Sequence, residues 1–506
     1  MPSFHRFLVF RVNPLWIQLC YFVCVSALGF VVLKVLKPKG VESFMPKDLD
    51  MYFMSVSATT VSSMSTVEME VFSNTQLIVL TILMVLGGEV FVSVMGLHWL
   101  SFTFKKQQTE NKVDSVCSDL GSSEIELGVV SLNDVESKTS GKEDRYAINT
   151  SFSEDFRLNS IRYLGYVIWC YFLVIHVVGV QLISVYLIFV PSARKVLKNK
   201  GLHKLTFSVF TTVSTFTNCG FIPTNENMMV FNKNSGLLLL LIPQILLGNT
   251  MYPPCLRFLI WVLGRLTKRG EFNYLLKNFH HIRYKHLLPF RHSCLLVVTV
   301  FGFIVVQFLL FCCMEWNSEA LKGLNTYEKL VAALFQSVNS RHSGESVVDL
   351  SIISPAILVL SVIMMYLPPY TTFLPTKNDE RSGRSREKEK RRKGQLVENI
   401  VFSQLSYLAV FIILICITER KQLKDDPLNF SVVNIVVEVI SAYGNVGFSM
   451  GYSCERQLNP DASCKDAWYG FTGRWSDKGK MILILVMFLG RLKKFNMEGG
   501  KAWKLL

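Results

Sequence analysis

Thr212-Val213-Ser214-Thr215-Phe216-Thr217-Asn218-Cys219-Gly220-Phe221 and Val439-Ile440-Ser441-Ala442-Tyr443-Gly444-Asn445-Val446-Gly447-Phe448 lie in opposite halves of the chain, yet share a Ser, an Asn and a terminal Gly-Phe at equal offsets. A third stretch, Ser55-Val56-Ser57-Ala58-Thr59-Thr60-Val61-Ser62-Ser63-Met64, keeps the early part of the pattern and places Ser63 where the others place glycine. A fourth, Gln336 to Glu345, diverges most and keeps Gly344. Each is too polar to cross lipid and sits between long apolar segments. Non-helical backbone at membrane depth is tolerated only where it is buried in protein or lines a water-filled path. Four such loops around one axis make a pore.

With 506 residues, 50% hydrophobic and only 18% charged, the chain is too apolar for an ordinary soluble protein. The formal charge of +15 sits largely between the apolar runs, where it suits anionic lipid heads rather than nucleic acid. The 12 cysteines form no CxxC pair and have no His partners, which argues against a zinc site or a disulfide framework. Cys454 and Cys464 share a polar loop, and a bridge between them is left open. The first apolar run, Leu15 to Leu33, has no small-residue cleavage site and reads as a retained span. An enzyme of the membrane interior would need His-x3-His or Asp-Asp patterns in its spans, and none is there. No TVGYG filter or Arg-periodic helix marks a voltage-gated channel.

Eight apolar stretches, Leu15 to Leu33, Thr75 to Thr103, Tyr163 to Pro191, Ser235 to Leu256, Ser293 to Met314, Ser351 to Thr376, Asn399 to Thr418 and a weaker one from Met481, each supply about 20 residues of helix. The polar repeats fall between members of successive pairs. The expected fold is therefore an all-α polytopic membrane protein: four helix–pore-loop–helix repeats and eight transmembrane helices around one pseudo-fourfold pore. The repeats are 1–104, 159–264, 287–376 and 397–506, the last with a short cytoplasmic tail. Cytoplasmic linkers are expected at 105–158, 265–286 and 377–396, the last strongly basic. Both termini are then cytoplasmic, although the basic stretch Arg194 to Lys204 must lie outside. The first linker, with Ser122, Ser123 and Ser137 among acidic residues, reads as disordered. The sequon at Asn149 faces the cytosol, and the one at Asn429 lies outside and is a glycosylation candidate.

A cation leaves water only where other oxygens replace its hydration shell, as rings of backbone carbonyls do in selectivity filters. Glycine suits such a loop because it reaches φ > 0 freely. Gly220, Gly344 and Gly447, with Ser63 at the matching place, fit that role.

Thr60-Val61-Ser62-Ser63-Met64-Ser65-Thr66, Asn218-Cys219-Gly220-Phe221, Asn339-Ser340-Arg341-His342-Ser343-Gly344-Glu345 and Tyr443-Gly444-Asn445-Val446-Gly447-Phe448 resemble the four pore loops of the plant HKT cation transporters, relatives of the bacterial Trk and Ktr systems. The resemblance covers nearly the whole chain outside the termini and the first linker. It implies that Ser63, Gly220, Gly344 and Gly447 form the filter and hold Na⁺ through backbone carbonyls, flanked by Val61, Ser62, Asn218, Cys219, His342, Ser343, Asn445 and Val446. Ser-Gly-Gly-Gly is the pattern of the Na⁺-selective subfamily 1, whereas members that also carry K⁺ have four glycines. Asn218 also resembles Na⁺-selective members. The implied function is passive, channel-like Na⁺ transport across the plant plasma membrane, with retrieval of Na⁺ from xylem and salt tolerance. A Na⁺/K⁺ symporter or a K⁺-permeable transporter is the alternative, and a non-transporting receptor or structural protein a distant one. No cofactor is expected, and the partners are Na⁺ or K⁺ and the bilayer, with a homodimer left open.

Arg491 interrupts the last apolar stretch. Either the helix ends at Gly490 and Arg491 snorkels to the headgroups, or, as the resemblance implies, it faces the pore below the filter as an electrostatic barrier. Pro368-Pro369 cannot continue a regular helix in the span from Ser351 to Thr376: either they make a simple kink or, as the resemblance implies, the span is broken by an intramembrane segment that narrows the pore. Glu89, His98 and His176 lie within spans and suit structural pairing at helix interfaces. Glu68, Glu70, Glu226, Glu345 and Asp349 follow the filter positions closely and are expected to ring the outer mouth, where they would concentrate cations, some of them also bonding backbone N–H groups.

Overall fold

The computed structural model describes residues 14–39, 46–99, 101–102, 140–282, 284–372, 404–457, 464, 466–467 and 470–496. The stretch Lys377 to Glu398, most of the first linker and the C-terminal tail lie outside them. The architecture is helical, and among the described residues the sole β-pairing is an isolated bridge between Tyr452 and Ala467.

Each repeat has the same plan: a first helix, a short pore helix, a loop and a second helix. The four sets are Pro14–Val35, Asp48–Thr59 and Asn74–Gly87; Ser140–Phe189, Lys204–Thr217 and Ser235–Leu247; Phe290–Glu315, Thr326–Asn339 and Pro355–Tyr366; Gln404–Thr418, Val432–Gly444 and Asp477–Asn496. By length and apolar content Leu15–Val35, Phe156–Phe189 and Phe290–Glu315 can each cross a membrane. Asn74–Gly87 with Glu89–Trp99, and Ser235–Leu247 with Tyr252–Thr267, qualify as bent pairs, while Pro355–Tyr366 and Leu405–Thr418 are apolar but shorter.

Local sequence explains where these helices start and stop. Ser73 accepts from the Gln76 backbone N–H and Gln76 answers in a capping box, as do Asn325 and Glu328. Ser431 accepts from the N–H of Asn434. Pro355 opens its helix at the position where a missing N–H costs nothing. Asn218 and Asn445 end the second and fourth pore helices in the left-handed conformation that asparagine tolerates.

The chain divides into two compact units. The larger, Met1–Glu89 with Ile175–Tyr252 and Arg291–Leu506, contains all four pore loops. Within it two repeats are fastened by buried carboxylates: Glu315 accepts from the Ser354 N–H at 2.7 Å, and Glu419 accepts from the Ser476 N–H at 3.1 Å. The smaller unit comprises Val90–Val174 and Pro253–Phe290. In it Trp169 donates to His98 Nε2 at 2.9 Å, and Arg257 donates to the Leu288 carbonyl at 2.8 Å. His98 is thus one of the expected structural pairings.

One sequence expectation meets a different structure here. The first linker is not without order throughout, because the first helix of the second repeat already begins at Ser140. The stretch 265–286 carries two short helices, Gly270–Lys277 and Phe279–Ile282.

Candidate cation filter and pore

Each pore helix ends in the same backbone turn. Val61, Asn218, His342 and Asn445 donate their N–H groups to the carbonyls of Ala58, Thr215, Asn339 and Ala442 at 3.1–3.2 Å. In three repeats the next N–H reaches further back, from Ser62 to Ser57, Cys219 to Ser214 and Val446 to Ser441. All four candidate filter residues then take positive φ: Ser63 at 52°, Gly220 at 86°, Gly344 at 67° and Gly447 at 104°. Three of these places carry the residue that adopts this conformation without steric cost. Ser63 does not. Val61, two residues before it, is also left-handed at φ 50°, and a β-branched residue there is strained by roughly 1–3 kcal/mol.

The loops touch one another in a ring. A Cβ on Gly220 would lie 1.6 Å from the Ser343 carbonyl oxygen, one on Gly344 2.3 Å from that of Val446, and one on Gly447 2.2 Å from Ser63 Cβ. Side chains stitch neighbouring loops. Asn445 Nδ2 donates to Ser62 Oγ at 2.8 Å, Thr215 Oγ1 donates to Glu345 Oε1 at 2.8 Å, and Thr250 Oγ1 meets His342 Nε2 at 2.8 Å. His342 Nδ1 faces the Val338 carbonyl at 2.6 Å, so it carries the proton and leaves Nε2 to accept. Asn218 turns its amide back to the Phe216 carbonyl at 3.0 Å.

Ser63, Gly220 and Gly447 face a cavity whose walls include Thr224, Asn225, Ser346, Asp349 and Ser449. Of the five acids expected around the mouth, Asp349 alone lines this cavity. Its Oδ1 accepts from the Ser351 N–H at 2.9 Å, and Arg456 stands 3.8 Å away. Glu68, Glu70 and Glu226 gather instead around Asn225 and Lys200. Asn225 donates to Glu68 and Glu70, and Lys200 pairs with Glu70 at 2.8 Å and Glu226 at 2.6 Å. Burial alone would lower the Lys200 pKa; hydrogen bonds to Glu226 and Glu70 and their charges outweigh it and hold the ammonium above its ordinary value. Glu345 is a correction. It is fully buried behind the loop, bonded to Thr215, because the residue after the filter glycine turns its side chain away from the mouth.

Asn429 is corrected as well. Its amide is 1% exposed, and Nδ2 donates to Asp426 and to the Ser453 carbonyl, both at 2.9 Å, which leaves no room for a glycan. Cys454 and Cys464 form the disulfide left open by the sequence.

Below the loops, Arg491 does not end its helix. The helix runs on to Asn496, and the side chain is 1% exposed, donates to the Gly87 carbonyl and lies over the Phe22 ring. The snorkelling reading is thereby excluded. The helix before Pro368 stops at Tyr366, Leu367 is extended, and Arg341 donates to the carbonyls of Pro368 and Pro369 at 2.6 and 3.2 Å. Arg341 carried no role in the sequence reading, although a lone cation inside an apolar-flanked loop was a usable signal. A second set was not visible at all. Gly87, Gly248 and Gly490 leave space for the pore-helix carbonyls of Thr59, Phe216 and Tyr443, which a Cβ would meet at 1.9, 1.8 and 2.1 Å. Their spacing from the filter differs from repeat to repeat, so no sequence offset marks them.

The family model described as TrkH, cation transport protein, matches residues 39–497. The chain is 52% identical to the cation transporter HKT1;3 of Oryza sativa subsp. japonica over 98% of its own length and 92% of that protein's. It is 53% identical to the sodium transporter HKT1 of Arabidopsis thaliana, covering 94% and 91% of the two chains. The crystal structure of the potassium transporter TrkH from Vibrio parahaemolyticus matches 96% of this chain and 83% of its own with a TM-score of 0.51 at 13% identity, a likeness of fold. These cation transporters are not enzymes, and by helices, loops and sequence alike this chain belongs to the HKT cation transporters of the TrkH family.

Proposed function

We propose that this chain is a channel-like pore that conducts Na⁺ passively and selectively across the plant plasma membrane, with both termini cytoplasmic and no cofactor, and that it retrieves Na⁺ from xylem in salt tolerance. The observation that carries the selectivity is Ser63, the one non-glycine among four left-handed filter positions. Its side chain is packed against Gly447, where even a methyl group would collide with it. That corner of the ring cannot relax as a glycine would, so the cage is less able to adopt the carbonyl arrangement a larger ion needs. The relative named as a sodium transporter supports the same ion.

Reversal potentials in oocytes under exchanged Na⁺ and K⁺ test this. Ser63→Gly is expected to raise K⁺ permeability relative to Na⁺ by about tenfold, the equivalent of the 1–2 kcal/mol that left-handed backbone costs an L-residue. A conducting mutant with unchanged reversal potential under K⁺ would remove Ser63 from selectivity. Fluxes locked to both gradients at once would select coupled symport instead.

A further inference from the structure

Above each filter residue the chain turns outward, and in three repeats a pore-helix side chain reaches up to hold that turn. The holding position is nine residues before the filter residue in the first, second and fourth repeats (Met54, Thr211, Glu438) and eight before it in the third (Gln336). Glu438 Oε1 accepts from Ser449 Oγ at 2.6 Å and from the Met450 N–H at 3.0 Å. Gln336 Oε1 accepts from the Val347 N–H at 3.2 Å and from Ser346 Oγ at 3.5 Å. Met54 offers Ser65 Oγ a sulfur at 3.5 Å. Thr211 has nothing to hold, since the matching residue above Gly220 is Pro223, which lacks an N–H.

The four corners are therefore held unequally, and the fourth has the strongest acceptor. Glu438 is completely buried, where an acceptor meeting two donors cannot be replaced by water. Its partner Ser449 also accepts from the Phe471 N–H at 2.9 Å, so the turn above Gly447 is fixed from two sides. Gly447 in turn is the residue pressed against Ser63. We propose that Glu438 is a positioning residue for Na⁺ selectivity, which sets how closely Gly447 approaches Ser63. This rests on the reading of Ser63 as the selective corner.

The first and third repeats supply the test substitutions. Glu438→Met installs the weak acceptor of the first repeat at similar volume, and Glu438→Gln installs the amide of the third. In voltage-clamped oocytes with surface abundance measured by labelling, Glu438→Met is expected to lower the Na⁺-to-K⁺ permeability ratio about fivefold, the factor of one net hydrogen bond, and Glu438→Gln to retain most of it. In a Ser63→Gly background Glu438→Met should have little further effect, because its route to selectivity is already gone. A surface-expressed, conducting Glu438→Met with an unchanged ratio overturns the proposal, as does an effect undiminished by Ser63→Gly. If Glu438→Met does not reach the surface, Ser449→Ala removes the 2.6 Å bond without altering the pore helix and is held to the same two criteria. Ser63→Gly alone keeps the failures apart: no shift there defeats the filter reading, whereas a shift there with none in the Glu438 variants defeats this inference only.

Discussion

Gly220 shows how much a single position decides. With φ at +86° and the Ser343 carbonyl 1.6 Å from where a Cβ would stand, it admits no side chain unless the third loop moves away. Gly220→Ala is therefore expected to abolish measurable current while the protein still reaches the surface, compared with wild type at matched surface abundance. Normal current from that variant would mean the ring is not closed where the cation passes. These positions were legible in the sequence because the repeat aligned three glycines with one serine, and only backbone chemistry explains glycine there. Val61 was not legible as a strained residue, since nothing about a valine signals positive φ. Glu345 and Asn429 show the opposite failure. Each lay in a suggestive motif, and in each the direction of the side chain, which sequence does not carry, turned it inward.

At the scale of the element, the last helix shows why a glycine can mislead. Gly490 before a cation resembles a helix C-terminus, but the glycine is there for close packing on the Tyr443 carbonyl, and the helix continues. Arg491 consequently lies inside the protein, bonded to Gly87, and Gly87 packs against Thr59 at the C-terminal end of the first pore helix. That end carries the negative pole of the helix dipole; if the cation path runs past it, as proposed, the pole would favour the cation and the guanidinium would partly offset it. Arg491→Gln should thus raise current or change rectification and leave the reversal potential nearly unmoved. Whole-cell current–voltage curves at matched surface abundance decide it, and unchanged current and rectification would leave Arg491 a packing role alone. That no regular helix could run through Pro368-Pro369 was readable, because proline lacks the N–H and clashes with the preceding turn, but whether the span kinked or broke was not. Nor was the attachment of Pro368 to Arg341, since the bond joins a loop and a segment separated by a whole helix.

For the larger compact unit as a whole, the four-part plan could be read from sequence, whereas the seams that join first to last could not. Repeats announce themselves by similarity, but the contacts between them are pairs of dissimilar residues far apart in the chain. The seam between the first and fourth repeats contains Asp50 at the start of one pore helix and Lys480 in the first turn of the last helix, 2.6 Å apart, with Lys480 4% exposed and Asp50 7%. Each charge is tolerated out of water because the other is there. Removing one leaves its partner buried and uncompensated, at a cost of about 3–5 kcal/mol, while replacing both with apolar residues of similar size is near neutral. Lys480→Met should accordingly lower the thermal unfolding temperature of the purified protein in detergent, and the double variant Asp50→Leu/Lys480→Met should recover most of the loss. The recovery is the decisive part, for a seam held merely by packing would make the double variant at least as unstable as the single one.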